Sequence, residues 1–234
     1  MDFNWAAGEE HVYVIGTEEG GIAYSSEYLA TYPGHTMATY AARWNRLHPK
    51  VLLSASADWT LRVWDARRPG PAGPVLSFDL GDAVGDAAWA PYSSTVMAAV
   101  TDDGRAHVFD LAASRLAPLC SQKVTRSGRP TKLAFNQKYP VVLVGDSKGN
   151  VTCLKLSPNL RRSSAAAPVA GAGGGAVAGA GVGAAAAGAG AAAAARSKFE
   201  AAEQQRLDAV LEVAMKGRAG GGGGAGGSRG GHVA

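Results

Sequence analysis

A spacing of 45 residues recurs along the first two thirds of this chain and constrains its fold more than any other feature. When the sequence is shifted by 45 positions, Trp44 falls on Trp89, and Asp65 falls on Asp110. Each unit shows short runs of strand-forming residues separated by turns rich in Asp and Gly, and helical periodicity is missing before residue 196. A repeat of this length with about four strands per unit is typical of the blades of a β-propeller.

The repeats predict an all-β fold in which residues 1–162 form a partial β-propeller of about three and a half blades. We expect the blade pieces at about 10–32, 33–80, 81–127 and 128–157. The first unit is predicted to lack its leading strands, and the last unit is predicted to lack its outer strand. Both ends would then expose unpaired backbone groups, which makes the isolated chain prone to aggregation.

The second unit is the most complete, since it begins at Gly34-His35 and ends at Trp64-Asp65, and it resembles a WD repeat. In WD repeats a buried hydrogen-bond chain joins a histidine, a strand serine or threonine, a turn aspartate and the tryptophan. The resemblance assigns this structural role to four residues: His35, Ser54 (or Ser56, on the same strand face), Asp58 and Trp64. A buried carboxylate needs such donors in any protein. The third unit keeps Asp103 but has Phe109 in place of the tryptophan, so we expect it to depend on packing.

A hydrolase triad is the alternative interpretation of His35, Ser54 and Asp58. We favour the structural role, because the serine is predicted on a strand rather than at an exposed turn, and no oxyanion loop is evident. Gly171-x-Gly173-x-x-Ala176 satisfies a loose dinucleotide fingerprint, but no strand precedes it and its context is of low complexity. We therefore expect no catalytic residue, no cofactor and no metal. The two cysteines, Cys120 and Cys153, lie far apart, which favours a reduced, intracellular protein.

Charge is nearly balanced along the chain. Residues 1–162 contain 17 Lys and Arg against 15 Asp and Glu, and the remaining residues contain 6 against 4. This balance argues against nucleic acid as a partner. Residues 163–195 form a long stretch without a charged residue, but it is rich in Ala and Gly and contains no Leu, Ile or Phe. We therefore predict a disordered low-complexity linker and no membrane segment.

Residues 196–217 are rich in helix formers and are predicted to form one amphipathic α-helix, followed by a disordered Gly-rich tail at 218–234. Its apolar stripe contains four candidate partner-binding residues: Phe199, Leu207, Val210 and Leu211. An isolated helix of this length is only marginally stable in water. The stripe is therefore expected either to dock on the propeller or to bind a partner.

Trp59 is a further candidate for partner binding. It falls in a turn between two predicted strands, where tryptophan has no local structural advantage. Tryptophan is enriched at binding hot spots. Packing on a neighbouring blade is the alternative.

Longer segments are more specific than the repeat itself, among them YSSEYLATYPGH, HPKVLLSASADWTLRVWD, FNQKYPVVLVGDSKGNV and LKLSPNLR. Over residues 10–162 the chain resembles the axonemal outer-arm dynein intermediate chains. The resemblance implies a non-catalytic motor subunit in the axoneme of cilia and flagella. Dynein heavy chain and a second intermediate chain are its implied partners, and it also implies a C-terminal helix after LSPNLR. Members of this family bind dynein light chains through an N-terminal region that we expect this chain to lack. The alternative is a cytoplasmic WD-repeat scaffold or adaptor unrelated to cilia.

Overall fold

The computed structural model describes residues 1–4, 12–24, 30–68, 73–160 and 184–220. Within these ranges the strands form four antiparallel sheets, which we call blades one to four. Blade one contains β1 (Asp2–Phe3), β2 (Tyr13–Gly16), β3 (Ile22–Tyr24) and β4 (Ala30–Thr31). Blade two contains β5 (Thr39–Trp44), β6 (Val51–Ser56), β7 (Thr60–Asp65) and β8 (Leu76–Asp79). Blade three contains β9 (Val84–Trp89), β10 (Val96–Thr101), β11 (Arg105–Asp110) and β12 (Cys120–Lys123). Blade four contains β13 (Pro130–Phe135), β14 (Val141–Asp146) and β15 (Val151–Lys155). A 3-10 helix (Pro158–Leu160) and one α-helix, α1 (Ala184–Gly220), follow.

The 45-residue repeat of the sequence is a repeat of strand register. Leu52 pairs with Trp64 in blade two, and Met97 pairs with Phe109 at the equivalent positions of blade three. β6 and β10 are buried along their whole length. Their sequences, VLLSAS and VMAAVT, are almost continuously apolar because both faces of an inner strand pack against neighbouring blades. The predicted all-β partial propeller is thereby confirmed.

Blade one differs from the prediction, which placed its start near residue 10 without leading strands. The structure begins it at β1, whose Phe3 pairs with Tyr13 and stacks edge to face on its ring at 5.8 Å. The Asp2 carboxylate accepts the backbone N–H of Trp44 at 2.9 Å and so connects this strand to blade two. A two-residue strand has no periodicity, which is why the sequence pattern did not reveal it. Blade four has three strands among the described residues.

α1 begins at Ala184, twelve residues before the predicted start, and ends at Gly220. The helix thus extends into residues 184–195, which the sequence pattern assigned to the linker. Their composition explains the difference, because alanine has the highest helix propensity and continues the helix that starts downstream. The rest of the predicted linker and the tail beyond 220 lie outside the described residues. Within the described part of the chain, no helix combines the length and apolar character that a membrane crossing requires.

The two ends of the blades have different environments. The β5–β6, β7–β8 and β9–β10 loops emerge at one end, and α1 packs on them there through contacts described below. We call this end the helix face. The β2–β3, β6–β7, β10–β11 and β14–β15 turns emerge at the opposite end because successive strands are antiparallel, and we call that end the turn face.

Candidate functional site

The four predicted tetrad residues come together in blade two as one hydrogen-bond chain. His35 Nδ1 lies 2.9 Å from Asp58 Oδ2, and His35 Nε2 lies 2.6 Å from Ser54 Oγ. Trp64 Nε1 donates to Ser54 Oγ at 2.8 Å. The neutral imidazole with its proton on Nδ1 satisfies every contact: it donates to the carboxylate and accepts the serine proton. This hydrogen-bond chain connects the loop before β5 to the β6–β7 turn.

The protonation states in this chain follow from its surroundings. Burial lowers the pKa of His35, although the neighbouring Asp58 opposes the shift. Burial also raises the pKa of Asp58, but hydrogen bonds from Thr60, from His35 and from the Thr36 backbone outweigh it and bring the pKa to about 2. A neutral histidine therefore faces an ionised aspartate at neutral pH.

The geometry does not suit a hydrolase. Ser54 is fully buried, and its hydroxyl oxygen is occupied by the indole N–H of Trp64. A substrate carbonyl could not reach this oxygen without unfolding of the blade. Ser56, the alternative tetrad serine, instead donates to the backbone oxygen of Met37 at 3.0 Å.

Blade three contains a shorter polar chain that the sequence did not reveal. The Thr101 hydroxyl donates to Asp103 at 2.5 Å and lies 3.0 Å from Nε2 of His107. His107 comes from β11, whereas the tetrad histidine of blade two precedes its first strand. Phe109 is fully buried at the position of Trp64. Blade three thus combines apolar packing with a histidine supplied by a different strand.

The apolar stripe of α1 is used by the propeller itself. Leu207 and Leu211 are fully buried in the core shared by blades two and three, and Val210 packs against that core. Phe199, farther toward the N-terminus of the helix, is half-buried. Of the two alternatives for the stripe, docking on the propeller is the one observed for Leu207 and Leu211. Binding of a partner by the stripe stays a prediction.

Glu203 fixes the position of α1 by polar contacts that the sequence pattern did not reveal. Its carboxylate is 1% exposed and accepts the Ser94 backbone N–H at 2.7 Å and the Ser94 hydroxyl at 3.0 Å. The Ser93 hydroxyl lies 3.3 Å from the same oxygen. A buried carboxylate is costly unless it is hydrogen-bonded, and the β9–β10 loop supplies these bonds.

A second polar contact connects α1 to blade two at the edge of the interface. Asp208 accepts from Arg67 at 2.7 Å and lies 3.3 Å from His48 Nε2. Arg67 also pairs with Asp65 at 2.9 Å. The side chains of Arg67 and Asp208 are 45% and 36% exposed, so this pair adds at most about 1 kcal/mol. Burial of the two leucines is the larger contribution to docking.

Trp59 lies on the turn face, and 53% of its surface is exposed. Its φ of 68° places it in the left-handed region, which costs a residue with a side chain about 1–2 kcal/mol. The equivalent turn positions of the other blades are glycines with φ between 82° and 89°: Gly20, Gly104 and Gly149. Blade two therefore keeps a tryptophan where the other three blades have the residue best suited to the backbone.

Acidification is expected to destabilise the fold in two stages. Burial lowers the pKa of three histidines from the ordinary value of 6.5, namely His35, His48 and His107. The unfolded chain then binds more protons than the folded chain, so stability is highest above pH 6.5 and decreases as the pH falls through that value. A further loss is expected from pH 3.8 toward 2 as Asp58 is protonated. Urea midpoints measured across this range test the prediction, which a constant or rising midpoint on acidification below neutral pH would contradict.

Comparison with known proteins agrees with this architecture. The family described as WD domain, G-beta repeat matches residues 26–65, which include the whole tetrad. The flagellar outer-arm 78 kDa dynein intermediate chain of Chlamydomonas reinhardtii is 46% identical over 224 residues, 94% of this chain and 29% of that protein. The ciliary dynein intermediate chain 2 of Heliocidaris crassispina is 49% identical over 167 residues, 68% of this chain and 24% of that protein. The axonemal dynein intermediate chain 1 of Bos taurus is 48% identical over 160 residues, 65% of this chain and 22% of that protein.

The four meandering sheets and the tetrad of blade two define a WD-repeat protein of the β-propeller class. Within that class, the chain belongs to the axonemal dynein intermediate chains, as the resemblance of its sequence predicted. The quoted sequence segments suggest intermediate chain 1 in particular. A relative named intermediate chain 2 and one named intermediate chain 1 have almost the same identity to this chain, 49% and 48%. The comparisons therefore define the family but do not distinguish between intermediate chains 1 and 2. The chain spans between 22% and 29% of the length of these relatives.

Proposed function

We propose that this chain acts as a non-catalytic intermediate-chain subunit of an axonemal outer-arm dynein. In this role it binds dynein heavy chain, contacts a second intermediate chain, and supports assembly of the arm and movement of the cilium. The observation that carries the proposal is 46% identity, over 94% of the chain, to a flagellar outer-arm intermediate chain. Its location would be the axoneme.

The proposed mechanism is binding by a rigid surface, without chemistry. The groups with the residue types of a catalytic triad are buried in blade two and already paired with one another. α1 covers the helix face through two buried leucines and Glu203. Motor activity would then belong to the heavy chain, and this chain would hold it in place.

Affinity capture from ciliary extract tests the proposal. The tagged chain is expected to recover dynein heavy chain at a constant ratio, whereas a tagged WD-repeat propeller from an unrelated protein should recover none. Mass spectrometry of the captured proteins provides the measurement. Capture of vesicle-transport or ubiquitin-ligase components without heavy chain would contradict the proposal and favour a general WD-repeat adaptor.

A further inference from the structure

Three large apolar side chains are exposed together on the turn face of blade two. Met37 is 53% exposed, Tyr40 is 54% exposed, and Trp59 is 53% exposed. Their backbone segments adjoin, because the Ala57 N–H donates to the Ala38 oxygen at 2.9 Å. Tyr40 lies at an irregularity in the β5–β6 pairing, opposite the end of β6 that leads into the Trp59 turn. We call these three residues the turn-face patch.

The local fold does not account for the patch. The glycines at the equivalent turns of the other blades show that Trp59 could be replaced without loss to the backbone. Exposure of three large apolar side chains also costs solubility. Clustered, exposed aromatic and methionine side chains are typical of the centre of a binding interface.

Acidic residues flank the patch on two sides. Glu18 and Glu19 are exposed in the β2–β3 turn, and Thr17 of this turn accepts the backbone N–H of Thr39 at 2.9 Å. On the other side, Asp79 is exposed opposite Thr60, and the Leu80 N–H donates to the Trp59 oxygen at 3.0 Å. The half-buried Asp82 follows in the same loop.

The basic side chain of β7 does not offset these charges. Arg62 donates to the Thr60 hydroxyl at 3.0 Å and lies 3.8 Å from Asp58. Its side chain is 15% exposed. Burial lowers the pKa of His35, so this histidine is neutral as well and adds no positive charge at this end of blade two. The patch is therefore apolar at its centre and acidic at its border.

We infer that the turn-face patch binds a basic amphipathic helix of the dynein heavy chain, with an apolar stripe on the patch and Lys or Arg side chains toward the flanking carboxylates. The inference rests on the proposed function and specifies the surface and the chemistry of its partner. A helix suits the site because Met37 and Trp59 lie outside the strands, so one apolar helical stripe can cover the patch by side-chain contacts, without strand pairing. α1 occupies the opposite face of blades two and three, and in the described part of the chain no helix lies on the turn face.

Two variants test the two components of the surface. Trp59→Gly installs the residue found at the equivalent turn of the other blades, so its melting temperature is expected to equal or exceed that of the parent chain. Its capture of heavy chain is expected to fall at least tenfold. Glu18→Lys combined with Glu19→Lys reverses the charge on one side and is expected to weaken capture several-fold, most strongly at low salt.

Matched controls come from elsewhere on the surface. Leu116→Ala removes a 93% exposed apolar side chain outside the patch, and Glu212→Lys reverses an exposed charge on α1. Both are expected to capture heavy chain as the parent does. Failure of the parent chain itself to capture heavy chain would overturn the proposed function and this inference together. Normal capture by the parent and by Trp59→Gly would overturn the inference alone, and normal capture by the double lysine variant would overturn the basic character of the partner.

Discussion

Truncation of Leu207 or Leu211 to alanine is expected to destabilise the chain by about 2–5 kcal/mol in each case. Both side chains are fully buried among residues of blades two and three, so truncation removes apolar contacts and leaves a cavity. The loss should affect the sheets as well as α1, because Phe109 and Val51 belong to the same cluster. A helix that contributes core residues is part of the fold rather than an appendage.

Urea denaturation followed by tryptophan fluorescence measures this loss. Val213→Ala is the matched control on the same helix, since Val213 is 50% exposed and its truncation should change stability by no more than about 0.5 kcal/mol. Hydrogen exchange then shows whether α1 and the blades lose protection together. If α1 lost its protection while the midpoint of the blades stayed constant, the helix would be docked only weakly and the prediction would be wrong.

The repeat and the α1 stripe could be predicted from the sequence because both are periodic. Apolar residues that recur every 45 positions indicate which strands are buried, and β6 and β10, which are 45 positions apart, are buried along their whole length. The stripe of α1 was also visible, but a stripe does not specify the surface that covers it. Only the folded chain shows that blades two and three cover Leu207 and Leu211.

Residues that act through long-range polar contacts could not be predicted in this way. Glu203 meets Ser94 across 109 positions, and an isolated glutamate on a helix is usually solvated. His107 contacts the polar chain of blade three from β11, whereas His35 of blade two precedes β5. The two histidines are therefore not aligned in the repeats, and the repeat pattern could not reveal the role of His107. The tetrad of blade two was accessible because its four residue types recur at fixed spacing in a known repeat.

Blade three contains a natural control for the polar chain of blade two. The position of Ser54 is occupied there by Ala99, and the position of Trp64 is occupied by Phe109, and both residues are fully buried. Blade three therefore omits the serine and the indole N–H together. The joint loss of the two groups is expected if burial of the serine hydroxyl or of the indole N–H is costly without its hydrogen-bond partner.

A double-mutant cycle of Ser54→Ala and Trp64→Phe is therefore expected to be strongly non-additive. Ser54→Ala alone leaves the indole N–H and His35 Nε2 without their partner, at about 1–3 kcal/mol for each group. In the double variant the indole N–H no longer exists, so the combined destabilisation should be smaller than the sum of the single losses by about 1–3 kcal/mol. Urea denaturation of the four proteins gives this coupling free energy. A value near zero would show that the Ser54–Trp64 hydrogen bond does not couple the two side chains, and that packing alone holds the tryptophan in blade two, as it holds Phe109 in blade three.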